Sequence, residues 1–282
     1  MNKRGGNILR VLVTGADGQL GSEFVKLKSG HDFYGFNKQS LDITKPESIK
    51  ECFERVQPNI VINCAAYTNV DGCESNPDKA YEINAKGVGL LAGECLKRNC
   101  ELVHISTDYV FAGDKKQEYF EFDTPNPLNV YGNSKLAGEE IIKTVMKKYY
   151  IVRTSWLYGQ GKNFVKTMLE LSKSRESIEV VNDQIGSPTY AYDLAIAIMD
   201  LISAGEYGFY HITNAGYCSW YELACKIFEI KNTKTKVIPI DTKKLNRPAK
   251  RPGFSVLGNI KSKVKLRSWE EALKEYLMTI QY

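Results

Sequence analysis

The sequence predicts an α/β fold: a doubly wound parallel sheet with helices on both faces, joined to a smaller, discontinuous second lobe. Three observations predict it. Short apolar runs at residues 8–14, 32–36, 59–64, 101–106 and 150–153 read as strands of a buried sheet. Stretches of helical period separate them, and such alternation builds a parallel sheet. Glycines recur as GxxGxxG from Gly15 to Gly21, between the first strand and the first helical pattern.

Taken in order, residues 8–14 form the first strand and Gly15, Gly18, Gln19, Leu20 and Gly21 the turn that follows it. Glycine there permits a tight turn and a close approach of backbone to a pyrophosphate, and the following helix start favours phosphate. This placement predicts a Rossmann-type dinucleotide site, with these five residues on the cofactor. At the end of the second strand an acid would select NAD, but the chain has Asn37 and Lys38. That leans toward NADPH and leaves NADH open. Asp42, just beyond, is placed either to reach the adenine or to cap a loop or helix. Residues 46–56 are a helix with Thr44 as its cap. After the third strand, Ala65, Ala66 and Tyr67 are placed for a cofactor lying against the backbone, and residues 68–71 start a loop. Residues 77–98 read as one long helix.

The fourth strand ends in Ser106-Thr107-Asp108-Tyr109, at the edge where open α/β sheets bind ligands. Pro125 and Pro127 delay the next helix, which carries Tyr131 and Lys135 four residues apart on one face. A cation beside a phenol lowers its pKa from about 10 and suits it to proton transfer at a carbonyl. Beyond the fifth strand come a helix at 164–172, a strand at 178–181, a helix at 191–202 that returns to the sheet, a strand at 209–213, and helices at 220–230 and 269–279. Residues 1–155 and 191–213 are therefore expected to form the dinucleotide-binding domain, and 156–190 and 214–282 the second lobe.

Composition narrows the rest. The chain of 282 residues is 43% hydrophobic and 25% charged, as ordinary globular proteins are. Its net charge of +5 is spread along the chain, which argues against a nucleic-acid stripe and suits an anionic small substrate. No apolar run approaches the ~20 residues of a membrane span, and Lys3 and Arg4 precede too short a run for a signal peptide. Seven cysteines without a CxxC pair predict neither disulfides nor zinc, so a cytoplasmic protein is expected. His31, His104 and His211 have no metal-ligand spacing and read as neutral structural residues, so no metal is expected.

Glycine turn, Ser-Thr-Asp cluster and YxxxK, in that order, resemble the extended short-chain dehydrogenase/reductase family. The nearer resemblance within it is to the dTDP-4-dehydrorhamnose reductases. It runs along nearly the whole chain through Leu41-Asp42-Ile43-Thr44, Ala65-Ala66-Tyr67-Thr68, Arg153-Thr154-Ser155-Trp156, Ser219-Trp220-Tyr221 and Arg251-Pro252. It implies Thr107, Tyr131 and Lys135 as the catalytic set, with Tyr131 and Lys135 also on the cofactor. It adds Ile43 to the cofactor site and places Thr68, Val70, Thr107, Tyr109 and Trp156 against the substrate. The implied reaction is reduction of the C4 keto group of dTDP-4-dehydro-L-rhamnose by NADPH or NADH. Arg251 is the expected partner of the diphosphate. Sugar-nucleotide dehydratases carry Glu where this chain has Tyr109, so a base for eliminating water is missing. Alternatives are a reductase or epimerase of another sugar nucleotide, or a non-catalytic NADP-binding subunit like the regulatory subunit of methionine adenosyltransferase. The expected partner is a dTDP-sugar, without nucleic acid or membrane; a homodimer is left open.

Overall fold

The structure is a computed structural model that describes residues 8–280. Six strands form one parallel sheet: β1 (Arg10–Thr14), β2 (Asp32–Phe36), β3 (Ile60–Asn63), β4 (Glu101–Thr107), β5 (Tyr149–Thr154) and, from late in the chain, β10 (Gly208–His211). Their order across the sheet is β10-β5-β4-β3-β1-β2. The chain moves from β1 outward to β2, then crosses back to β3 on the other side, so the order reverses between β1 and β3. Such a switch point leaves a crevice beyond the strand ends.

Side chains alternate across the sheet and divide the core. Val11, Val13, Ile60, Ile62, Val103 and Val152 face α1 (Gly21–Lys26) and α8 (Ala191–Ala204). Leu12, Val61, Leu102 and Ile151 face α2 (Pro46–Val56), α5 (Val88–Lys97) and α6 (Val130–Val145). A third apolar cluster lies outside the sheet, around α7 (Phe164–Ser172), α9 (Trp220–Ile230) and α10 (Trp269–Thr279). The short strands β6 (Leu157–Tyr158), β7 (Ser177–Val181), β8 (Ile185–Gly186), β9 (Thr189–Tyr190), β11 (Cys218–Ser219) and β12 (Lys236–Ile240) accompany it as three two-stranded pairs.

The α/β class is as the sequence predicts, and five elements occupy the predicted residues: β2, α2, α7, α9 and α10. Four differences have local causes. Thr44 does not cap α2: its hydroxyl donates to Asp42 Oδ1 at 2.7 Å, Lys45 is the cap residue, and Pro46 pre-sets the first turn. Residues 70–75 are not loop but a short helix, α3 (Val70–Ser75), capped by Asn69, whose Oδ1 accepts from Gly72 N at 2.9 Å. β12 escapes the pattern because Pro239 interrupts it, which an edge strand tolerates. The long helix is divided: α4 (Pro77–Tyr81) passes through a π-helical turn, Glu82–Gly87, before α5. That turn pushes the Asn84 carbonyl toward α6, where a Cβ on Gly138 would come within 2.3 Å of it.

Long-range bonds tie the third cluster's side of the molecule to the sheet. Tyr119 bridges to Leu257, Asn129 Nδ2 donates to the Lys250 carbonyl at 2.8 Å, and Arg251 pairs with Asp71 on α3 at 2.8 Å. Among the described residues no helix is long and apolar enough to cross a membrane.

Candidate active site

A cleft of about 500 Å³ opens beyond the carboxyl ends of β1, β3 and β4, at the switch point. Its floor is the glycine turn. Gly15 has φ +62°, and a Cβ there would stand 2.9 Å from the Ala65 amide nitrogen, so only glycine lets the turn press against the end of β3. Gln19 Oε1 and Thr154 Oγ1 are buried and without a hydrogen-bond partner, and both residues line the cleft. Buried polar atoms of this kind fit a polar cofactor, since leaving them unpaired is costly.

The opposite wall comes from β4 and α6. Asn129 starts α6 by accepting from Gly132 N at 2.8 Å, while Val130 N donates to Glu74 Oε1 at 2.8 Å. The helix therefore begins one residue before Tyr131 and points Tyr131 and Lys135 into the cleft beside Thr107. Tyr109 packs edge-on against Tyr131, ring centres 5.8 Å apart.

The electrostatics differ from the sequence expectation. Lys135 does not bring the Tyr131 phenol down. Burial pushes that phenol well above its ordinary value; only the hydrogen bond with Thr107 opposes this, and nearby Asp108 adds to the rise. The reason is where the lysine points: Nζ donates to the Ile105 carbonyl at 2.6 Å and lies 3.3 Å from His104 Nε2. Burial brings Lys135 itself down to about 8, against the pull of Glu139 and Cys64. Burial likewise raises Asp108 to about 7, although its carboxylate accepts from Ser255 at 2.6 Å and Thr107 at 3.0 Å.

The structure brings most of the expected residues into this one cleft. Gly15, Gly18, Gln19, Leu20, Gly21, Asp42, Ile43, Ala65 and Ala66 line it, as do Thr68, Thr107, Tyr131, Lys135 and Trp156. Four others it leaves out. Asn37 closes its own turn, its Oδ1 accepting from Gln39 N and Ser40 N at 3.1 Å. Tyr67 exchanges backbone bonds with the Asn84 carboxamide, at 2.8 and 3.1 Å. Val70 opens α3, and Tyr109 is spent on the Tyr131 ring. Arg251 also departs from its expected role, because both its terminal nitrogens donate to the Asp71 carboxylate, at 3.1 and 2.8 Å. Lys38 rather than Asn37 reaches the cleft, and Asp108 and Thr154, given no role from the sequence, also line it. Trp156 adopts φ +46°, uncommon for a bulky residue, and its ring stacks on Trp220 with centres 3.5 Å apart. Strain held by packing is frequent at ligand sites. Its neighbours Arg153 and Ser155 were visible as a motif, but the backbone turn was not.

Comparison with known proteins agrees with this arrangement. Residues 9–282 match the family described as RmlD substrate binding domain. The spore coat polysaccharide biosynthesis protein SpsK of Bacillus subtilis is 44% identical over 274 residues, covering 95% of this chain and 96% of its own. The dTDP-4-dehydrorhamnose reductase of Aggregatibacter actinomycetemcomitans is 40% identical over 94% of this chain and 97% of its own. The crystal structure of dTDP-4-dehydrorhamnose reductase from Bacillus anthracis, in complex with NADP, superposes with a TM-score of 0.94 at 45% identity, covering 97% of this chain and all of that one. With a nucleotide turn, a Thr-Tyr-Lys wall and relatives alike along their full length, this chain belongs to the dTDP-4-dehydrorhamnose reductase family.

Proposed function

We propose that this protein reduces the C4 keto group of dTDP-4-dehydro-L-rhamnose to the alcohol of dTDP-L-rhamnose, with NADPH as the preferred reductant. The observation that carries the reading is the presence of Thr107, Tyr131 and Lys135 on the wall of the same cleft whose floor is the glycine turn. A bound nicotinamide supplies the hydride. The residues of the chain do the rest. The glycine turn and Ala65-Ala66 receive the dinucleotide, and Lys38, at the cleft edge, meets the 2′-phosphate. Thr107 holds the carbonyl oxygen where charge develops, and the Tyr131 hydroxyl gives it a proton. A buried phenol that resists ionisation keeps that proton until the alkoxide forms. Lys135 holds the ribose and the proton balance of the site. Thr68 and Trp156 bound the sugar, and Tyr109 and Val70 act from behind them. Residues 1–155 and 191–213 make the cofactor half; residues 156–190 and 214–282 make the sugar-nucleotide half. A cytoplasmic location suits a user of NADPH.

The test couples the protein to a dTDP-glucose dehydratase and a 3,5-epimerase and follows NADPH absorbance, with the product identified by chromatography. Consumption with formation of dTDP-L-rhamnose is expected. Reduction without the epimerase would place the substrate among other 4-keto sugars. Cofactor binding without turnover would favour the regulatory-subunit alternative.

A further inference from the structure

A line of buried polar side chains crosses the sheet beneath the cleft and ends on Lys135. Thr14, Asn63 and His104 stand in register on β1, β3 and β4, so their side chains lie side by side on one face. All three are within 1% of complete burial, and Lys135 is 2% exposed. Thr14 Oγ1 donates to Asn63 Oδ1 at 2.6 Å, and the Ala65 amide also approaches that oxygen, at 3.3 Å. The Ala65 amide can only donate, here also to Thr14 Oγ1 at 3.2 Å, and 2.6 Å is the short separation of an O–H···O pair, so Oδ1 is the acceptor end of the carboxamide. Its Nδ2 is therefore the donor that meets His104 Nδ1 at 3.0 Å. An Nδ1 that accepts leaves the proton of a neutral imidazole on Nε2, and Nε2 faces Lys135 Nζ at 3.3 Å. Burial, aided by Lys135, keeps His104 neutral.

We propose that His104 is a positioning residue for the reaction, which presents an Nε2–H donor to Lys135 and so favours the amine over the ammonium. An N–H can donate only to a lone pair, and an ammonium has none. The donor is set from β1 through Asn63, the strand that also carries the glycine turn. Groups around the lysine divide. Glu139 on its own helix and Cys64 beyond β3 favour the ammonium. Glu139 is itself held by Arg153 of β5, at 2.6 and 3.0 Å, and by Ser106 of β4. Asp108 and Cys73 face Tyr131 rather than the lysine. Burial already opposes the pull of Glu139 and Cys64, and His104 adds a donor that opposes it further. A lysine held near its midpoint can return a proton to the tyrosinate left after Tyr131 has protonated the substrate, and regain one from water. This rests on the reading of Tyr131 and Lys135 as the reducing pair, but the first measurement below does not need turnover.

The experiment follows the titration of Lys135 by NMR of [13C]lysine-labelled full-length protein, assigned with Lys135→Arg, and the tautomer of His104 by its long-range 15N couplings. In the wild type the Nε2–H tautomer and a lysine midpoint near 8 are expected. His104→Asn keeps an acceptor for Asn63 and removes the donor from Lys135. It should raise the midpoint by about one unit, a tenfold change. His104→Gln restores an amide donor at the distance of Nε2 and should bring the midpoint back. Thr14→Val removes the hydroxyl that bonds Asn63 and accepts from the Ala65 amide at 3.2 Å, frees Asn63 to turn and should raise the midpoint in the same direction; Thr14→Ser, which keeps both bonds, should not. In turnover the alkaline limb of kcat should move with the midpoint while KM for the sugar nucleotide holds. An Nδ1–H tautomer in the wild type overturns the proposal. So does a midpoint unchanged in both His104→Asn and Thr14→Val; should His104→Asn fail to fold, Thr14→Val alone decides.

Discussion

Tyr131 and Lys135 were legible at the residue scale because four-residue spacing on a helix puts two side chains on one face whatever surrounds them. What each touches was not. Burial governs both, and burial depends on strands far away in sequence. Tyr131→Phe keeps the ring and its contact with Tyr109 but removes the phenol proton that would be given to the carbonyl oxygen. It should lower kcat by roughly 10² or more while NADPH binding holds, measured by steady-state kinetics and cofactor fluorescence. Lys38→Glu should weaken NADPH more than NADH, measured by titration calorimetry, because it puts a carboxylate where a 2′-phosphate would lie. His104 and His211 read correctly as neutral but not as connected. His211 is brought down to about 3 by burial first and by Arg153 second. Unfolded, it titrates near 6.5. Between those values the unfolded chain binds the extra proton, so the group's contribution is complete above about pH 6.5 and is lost as pH falls toward 3. Urea midpoints should therefore decline below pH 6.5. In His211→Asn the decline should be shallower, from a lower starting value.

Elements with a full apolar period were readable end to end, as α2, α7, α9 and α10 show. Those built on a cap or a partner strand were not. α3 depends on the Asn69 side chain, and β12 on the edge of β7 beside it. The π-helical turn before α5 left no mark in the hydrophobic pattern, because it inserts backbone rather than changing side chains. Its consequence falls on α6. Gly138→Ala would ordinarily favour a helix, by up to about 1 kcal/mol. Here the added methyl meets the Asn84 carbonyl, and overpacking should reverse the sign to a net loss of about 1–3 kcal/mol in urea unfolding. Because α6 also carries Tyr131 and Lys135, kcat should drop with stability.

At the scale of the whole molecule, the alternation of strands and helices announced the parallel sheet. Composition held nothing of the ties between distant segments, since Asp71 and Arg251 are 180 residues apart and Asp108 and Ser255 are 147 apart. The cleft takes its lining from residues as far apart as Gly15 and Leu157, so NADPH should brace the fold. At a hundred times its Kd it should add about 2.7 kcal/mol to unfolding, seen as a rise in Tm that grows with cofactor concentration.

The bond from Ser255 to Asp108 also bears on how the protein is made. A ribosome releases the last strand of the large sheet, ending at His211, well before Ser255. The sheet can close on the nascent chain, yet the Asp108 carboxylate has only the Thr107 hydroxyl and lacks its bond from Ser255 until another few tens of residues have emerged. Synthesis would thus yield a folded but immature half first and a competent enzyme only once Ser255 has emerged. Chains truncated near residue 240 and released should resist protease across the sheet and still fail to turn over substrate.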